Sequence, residues 1–194
     1  MAALGPRLPF NTHLHVPPNF SAFTTVEDCV QTADAEGVKV IGTSNFHSFG
    51  VYDRFDAAAR QHGLKALFGL EFISVLDEAM RADMTVNDPA NPGRAYICGK
   101  GIPSPSDPGA EAVTFMARAK VANEARHTRM VDLTRELYAQ AGLEVDVTYE
   151  SIVELVCERA NVPAEWVILQ ERHVALGFQE ALFATLPLDQ RGAF

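Results

Sequence analysis

An α/β first half followed by an all-helical second half is the architecture that this 194-residue chain spells out. Three observations carry it. Short apolar runs alternate with helical patterns over the first hundred residues. The stretch from Gly101 to Gly109 is rich in Pro, Ser and Gly. Beyond it, every periodic segment has the spacing of a helix. The predicted boundaries are 1–109 for the α/β segment and 110–194 for the helical lobe, with the change near Pro108.

The first strand is expected over Leu8 to Val16, ended by Pro17-Pro18. Thr24 and Thr25 then offer N-caps, and Glu27 completes a capping box with Thr24. The helix runs from about Val26 to Glu36, with Gly37 at the position of a left-handed C-terminal residue. Val38 to Thr43 is a short apolar run, read as a buried parallel strand. Tyr52 to His62 has helical character and again ends on a glycine, Gly63. Leu64 to Leu76 is predicted as the third strand, Asp83 to Arg94 as a loop, and Arg94 to Gly99 as a fourth strand. In the second half, helices are expected over Glu111 to Ala141, Tyr149 to Ala160 and about Ala164 to Ala184. No internal repeat or low-complexity tract is present.

Composition narrows the function classes. The length suffices for one ordinary domain with a real core. Hydrophobic content of 47% and charged content of 21% fit a soluble globular protein. A formal net charge of −9 argues against nucleic acid as a partner. It also repels a free anionic substrate unless metal ions, or local Arg and Lys, reverse the field. Cys29, Cys98 and Cys157 lack CxxC spacing and lie in predicted helices and a strand, so reduced thiols in a core are expected. No signal segment opens the chain and no membrane-spanning run occurs, which predicts a cytoplasmic protein without a membrane partner.

The chemistry concentrates in Asn11-Thr12-His13-Leu14-His15, at the exit of the first strand. Residues two apart in a strand point to one side, so His13 and His15 aim two imidazoles in one direction. Open α/β sheets and barrels build their sites at this end of their strands. Two neutral imidazoles converging are a start for a metal site. The plainer alternative is a pair of strand histidines, one of them capping a backbone carbonyl. Glu71 sits in an otherwise apolar strand, where a carboxylate is costly to bury unless a cation or a hydrogen-bond donor meets it.

Taken together, the first hundred residues resemble the polymerase-and-histidinol-phosphatase (PHP) family of metal-dependent phosphoesterases. The residues that carry the resemblance are His13-Leu14-His15, the helix Val26 to Glu36 with Ala33 and Gly37, the strand ending Ile41-Gly42-Thr43-Ser44-Asn45, and Gly69-Leu70-Glu71. The resemblance implies a distorted, TIM-like (β/α)7 barrel holding up to three metals, of which this chain would be the front half followed by a helical lobe. It implies a divalent cofactor (Zn, Mn or Fe) on His13, His15 and Glu71, activating water to attack a small phosphorylated metabolite or nucleotide. Val147-Thr148-Tyr149-Glu150 and Arg172-His173-Val174-Ala175-Leu176 resemble the helical insertion of several members, whose Arg-His element faces the active site.

The chain also departs from the pattern. Asn19-Phe20-Ser21 stands where the family has an Asp or His, and Phe20 cannot ligate a metal. Thr43-Ser44-Asn45 replaces Thr-Asp-His, leaving Asn45 as a neutral ligand and His47 as a possible substitute. The family's later ligands come from strands after the lobe, and no such strand precedes Phe194, so an incomplete site in a shortened or truncated chain is expected. Arg94, Lys100, Arg172 and His173 are candidate phosphate contacts, each with the alternative of a solvated polar residue. His62 and His127 read as ordinary helix-surface residues. An amidohydrolase or TatD-like metallohydrolase shares the HxH opening, and a degenerate, non-catalytic binding or scaffold module is the other reading. Unclosed strand edges and the apolar residues from Trp166 to Phe183 predict a homo-oligomer, or a need for the missing C-terminal half.

Overall fold

In the computed structural model, which describes residues 8–103, 106–188 and 191, the first regular element is β1 (Phe10–Leu14). It pairs in parallel with β2 (Val40–Thr43), which pairs in parallel with β4 (Lys65–Leu67). A second sheet has the order β3 (Asn45–Phe46), β5 (Gly69–Val75), β6 (Arg94–Lys100), with β3 parallel and β6 antiparallel to β5. The α/β segment is thus built on two three-stranded sheets.

The chain passes between the sheets twice by the same device. Ser44 alone separates β2 from β3, and Phe68 alone separates β4 from β5. The expected single strand Leu64 to Leu76 is therefore two strands in different sheets. Gly69 is where the second step occurs. A Cβ there would lie 2.7 Å from the Thr43 carbonyl oxygen and 2.9 Å from that of Gly99, so any side chain would collide with backbone on both sides.

Helices α1 (Val26–Ala35) and α2 (Tyr52–Gln61) follow β1 and β3. α1 buries Val26, Cys29, Val30 and Ala33, the i, i+3, i+4, i+7 stripe of a core-facing helix. Gly37 and Gly63, both at positive φ, end the two helices as predicted. α2 buries Tyr52 and Phe55, and the Tyr52 hydroxyl donates to the Gly69 carbonyl at the sheet step. A short α3 (Asp77–Arg81), which the sequence pattern does not announce, occupies the β5–β6 connection. Five residues are too few for a helical period to show.

Two compact units result. One takes the chain up to Val16 and Val26–Pro108. The other takes Pro17–Thr25 together with the chain from Gly109 onward. The second unit consists of α4 (Ala110–Gln140), α5 (Tyr149–Ala160), a 3-10 turn (Ala164–Trp166) and α6 (Glu171–Thr185). Its core joins Val131, Ile152, Val156, Leu169, Val174 and Phe178. The predicted continuous helix from Ala164 is broken over Val167-Ile168-Leu169, all three of which are buried. Three consecutive buried residues do not fit the single buried stripe of a surface helix, and the chain is non-helical there. Thr148 and Ser151 cap α5 reciprocally. No helix among the described residues is long and apolar enough to cross a membrane.

The three cysteines are free thiols. Cys29 is buried and Cys157 half-buried, but Cys98 is exposed, against the expectation of a core position. It lies on an edge strand whose last four residues have no cover.

Candidate metal centre

The β1–β2 ladder contains an irregularity at the residues that matter. Asn11 pairs with Ile41 and Leu14 with Thr43, so three steps on β1 oppose two on β2. This is the signature of a bulge, a common way to re-aim a side chain. The Asn11 side-chain oxygen accepts from the His13 N–H at 3.1 Å within the bulge. His15 follows the last residue of β1. Strict alternation predicts the two rings on one side; bulge and strand exit together produce that outcome.

Both rings meet Glu71, at the centre of β5. The Nε2 of His13 and the Nε2 of His15 each lie 3.1 Å from the same carboxylate oxygen, Oε2. One ligand atom from each of the three residues lies within 4.8 Å of the others. The Glu71 side chain is 8% exposed, that of His15 27% and that of His13 46%, so the trio opens to solvent on the His13 side. The imidazoles sit edge to face at 5.3 Å, and His15 stacks on Phe46 with ring centres 4.9 Å apart. Two imidazole nitrogens and one carboxylate form the donor set of an open-sided zinc site, and they suit iron and manganese as well. A buried carboxylate with two imidazole nitrogens on one oxygen is an arrangement that suits a divalent cation.

The structure gives the other candidate residues different tasks. Asn45, expected as a neutral ligand, is buried and clamps Val16. Its Oδ1 accepts from the Val16 N–H and its Nδ2 donates to the Val16 carbonyl, both at 2.9 Å. It therefore fixes the backbone directly after His15. His47 adopts a positive φ of 54° and turns its ring edge-on to Phe72 at 5.2 Å, outside the trio. Arg94 pairs with Asp88 at 3.4 Å. It opposes Val75 at the far end of the hairpin, about 13 Å along the strand from the Glu71–Cys98 pair. Lys100 lies nearer. Its ammonium donates to the Thr12 carbonyl at 2.8 Å and to the Ser44 hydroxyl, tying β6 to the bulge and to the first sheet step.

Arg172 and His173 belong to the second unit. Arg172 is exposed, with its guanidinium 5.6 Å from the centre of the Phe20 ring. His173, expected on a polar helix face, is buried. Its Nδ1 accepts from the Gln170 N–H at 3.0 Å and so caps α6. Burial, with His127 adding, holds its pKa down to about 4, which keeps the ring neutral. It lines a cavity of about 450 Å3 together with Phe20, Phe23, Arg159 and Leu176. His127 is likewise fully buried rather than on the surface, its Nδ1 held by the Asn123 carbonyl at 2.9 Å.

Sequence reasoning missed Cys98. It stands directly opposite Glu71 in the antiparallel ladder, and its Sγ lies 4.0 Å from the Nδ1 of His13. Partial desolvation and the Glu71 carboxylate raise its thiol pKa, with Lys100 opposing. Only the β5–β6 register, which spacing along the chain does not reveal, brings it to the site.

No family model matches the chain, and no curated protein does. Solved structures that are similar in fold include the following two. A candidate metal-dependent phosphoesterase from Bifidobacterium adolescentis aligns over 97% of this chain with a TM-score of 0.63 and 18% identity. An amidohydrolase from Chromobacterium violaceum, solved with sulfate and no metal, aligns over 88% with a TM-score of 0.56 and 16% identity. The chain spans about half the length of each, 52% and 49%. At this identity the likeness is one of fold.

Proposed function

We propose that this chain is a PHP-like domain of a metal-dependent phosphoesterase, with His13, His15 and Glu71 as the ligands of a divalent cation. The observation that carries the reading is the convergence of two imidazole Nε2 atoms on one oxygen of a buried carboxylate. The likeness to a candidate metal-dependent phosphoesterase supports it. Such a cation, when bound, activates water and polarises a phosphoryl oxygen.

The chain's own residues supply the rest. Glu71 brings the negative charge that makes the site selective for cations, and the neutral imidazoles supply nitrogen donors. Asn45 holds the backbone that carries His15, and Phe46 fixes the plane of its ring. Lys100 is the cation best placed to meet a substrate phosphate, on the same face of β6 as Cys98 and two residues away. Arg94 lies with Asp88 at the far end of the hairpin, so Lys100, held by the Thr12 carbonyl and the Ser44 hydroxyl, is the phosphate contact on β6 in this reading.

The test is hydrolysis of an activated phosphomonoester by the full chain loaded with zinc or manganese. Metal-dependent turnover should fall by more than about 100-fold in Glu71→Gln, beyond the loss usual for a residue outside the ligand shell. A second reading, a metal-binding module without hydrolytic activity, is favoured by the commitment of Asn45 to Val16. Bound metal with no turnover on phosphoesters or amides would establish that reading instead.

A further inference from the structure

A metal-bound imidazole has two nitrogens, and the partner of the outward one decides which nitrogen faces the cation. In His13 the Nε2 faces Glu71 Oε2 at 3.1 Å. The Nδ1, on the other edge of the ring, has the Cys98 sulfur at 4.0 Å. Cys98 is delivered to that edge by the same ladder that places Glu71, because the two residues are cross-strand partners. Residues two apart on a strand share a face, so Lys100 lies on the same side of β6 as Cys98. Lys100 is bonded to the carbonyl of Thr12, the neighbour of His13 in the bulge. The edge of β6 thus braces His13 at its ring and at its preceding peptide.

We propose that Cys98 is a positioning residue for the metal centre: its sulfur receives the Nδ1–H of His13, fixing the tautomer in which Nε2 is the metal-facing nitrogen. This rests on the reading of His13, His15 and Glu71 as metal ligands. Cys98 is not a fourth ligand, since the group of mutually close donor atoms comprises those three residues without it. The usual outer partner of a ligating histidine is a carboxylate, a carbonyl or water. A cysteine sulfur is a weak acceptor, and it orients the ring by its place in the ladder opposite Glu71.

The experiment measures zinc affinity of the full chain by competition with a chromophoric chelator, in the wild type and in C98A and C98S. Two spectra accompany it: nitrogen NMR of the His13 ring with zinc, and the absorption of the cobalt-loaded chain. C98A should bind zinc about 10- to 100-fold more weakly, the loss typical of an outer partner. C98S, whose hydroxyl also accepts, should recover most of it. His13 should carry its proton on Nδ1 in the zinc form, and wild-type cobalt protein should show no sulfur-to-cobalt charge-transfer band.

Unchanged affinity in C98A, with the wild type loaded, overturns this inference alone. A charge-transfer band overturns it too, by making the sulfur a ligand. A wild-type chain that takes up no zinc overturns the reading of the trio as well. C98V keeps the volume without an acceptor and replaces C98A in the comparison if the alanine variant loses its fold.

Discussion

Asn45 shows how a residue outside the His13, His15 and Glu71 trio can hold the backbone that carries one of its members. Val16 is fully buried and its N–H and carbonyl both end on the Asn45 amide. Removing that amide leaves two buried backbone groups unpaired, at about 1–3 kcal/mol for each. Asn45→Ala should therefore lower stability in chemical denaturation by a few kcal/mol and weaken metal binding, because the peptide after His15 loses its clamp. Asn45→Asp keeps the acceptor for the Val16 N–H but loses the donor, and should be intermediate. Unchanged stability in Asn45→Ala would mean that water replaces the amide and that the clamp is dispensable.

The sheet steps make a sharper demand at the scale of the element. At Gly69 an added Cβ meets two backbone carbonyls. At Gly177, where α6 crosses α5, it meets the Cγ1 of Ile152 at 2.7 Å, a side chain rather than backbone. Gly69→Ala should thus be much the more damaging, by several kcal/mol against roughly 1–3 for the overpacking at Gly177. Comparable thermal midpoints for the two variants would contradict the account of the step. The same contrast explains what could be read in advance. Helices α1, α2, α4 and α5 were legible because each has a periodic face or a cap within its own residues. The step at Gly69 was not, because the third strand keeps its apolar pattern across it and only tertiary contacts divide it. His13 and His15 were legible through their strand spacing, and Glu71 joined them through the resemblance to the PHP pattern. Cys98 was not, since only the antiparallel β5–β6 register sets it opposite Glu71. His127 and His173 sit in sequence like surface residues, and the core of the second unit covers them.

Burial of these two histidines has a consequence for the molecule as a whole. His173 ionises at about 4 in the folded chain, lowered by burial and then by His127. His127 is lowered as well, chiefly by burial. An unfolded histidine ionises near 6.5. The folded state therefore binds fewer protons than the unfolded one between these values, and stability falls as pH drops from about 6.5 to about 4. The contribution of His173 to that fall is at most about 3 kcal/mol. His173→Gln, which preserves a capping side chain, should flatten the thermal midpoint across this window. An equal slope in wild type and variant would show that other groups carry the acid sensitivity.

Whether the trio holds a metal is open to direct measurement. Elemental analysis of the purified full chain after loading and desalting, in the wild type, His13→Ala and Glu71→Ala, tests it most directly. About one zinc, manganese or iron per wild-type chain is expected, as three protein ligands with an open position can hold, with loss of that metal in both variants. A wild-type chain that retains no metal, or variants that retain as much as the wild type, would contradict it.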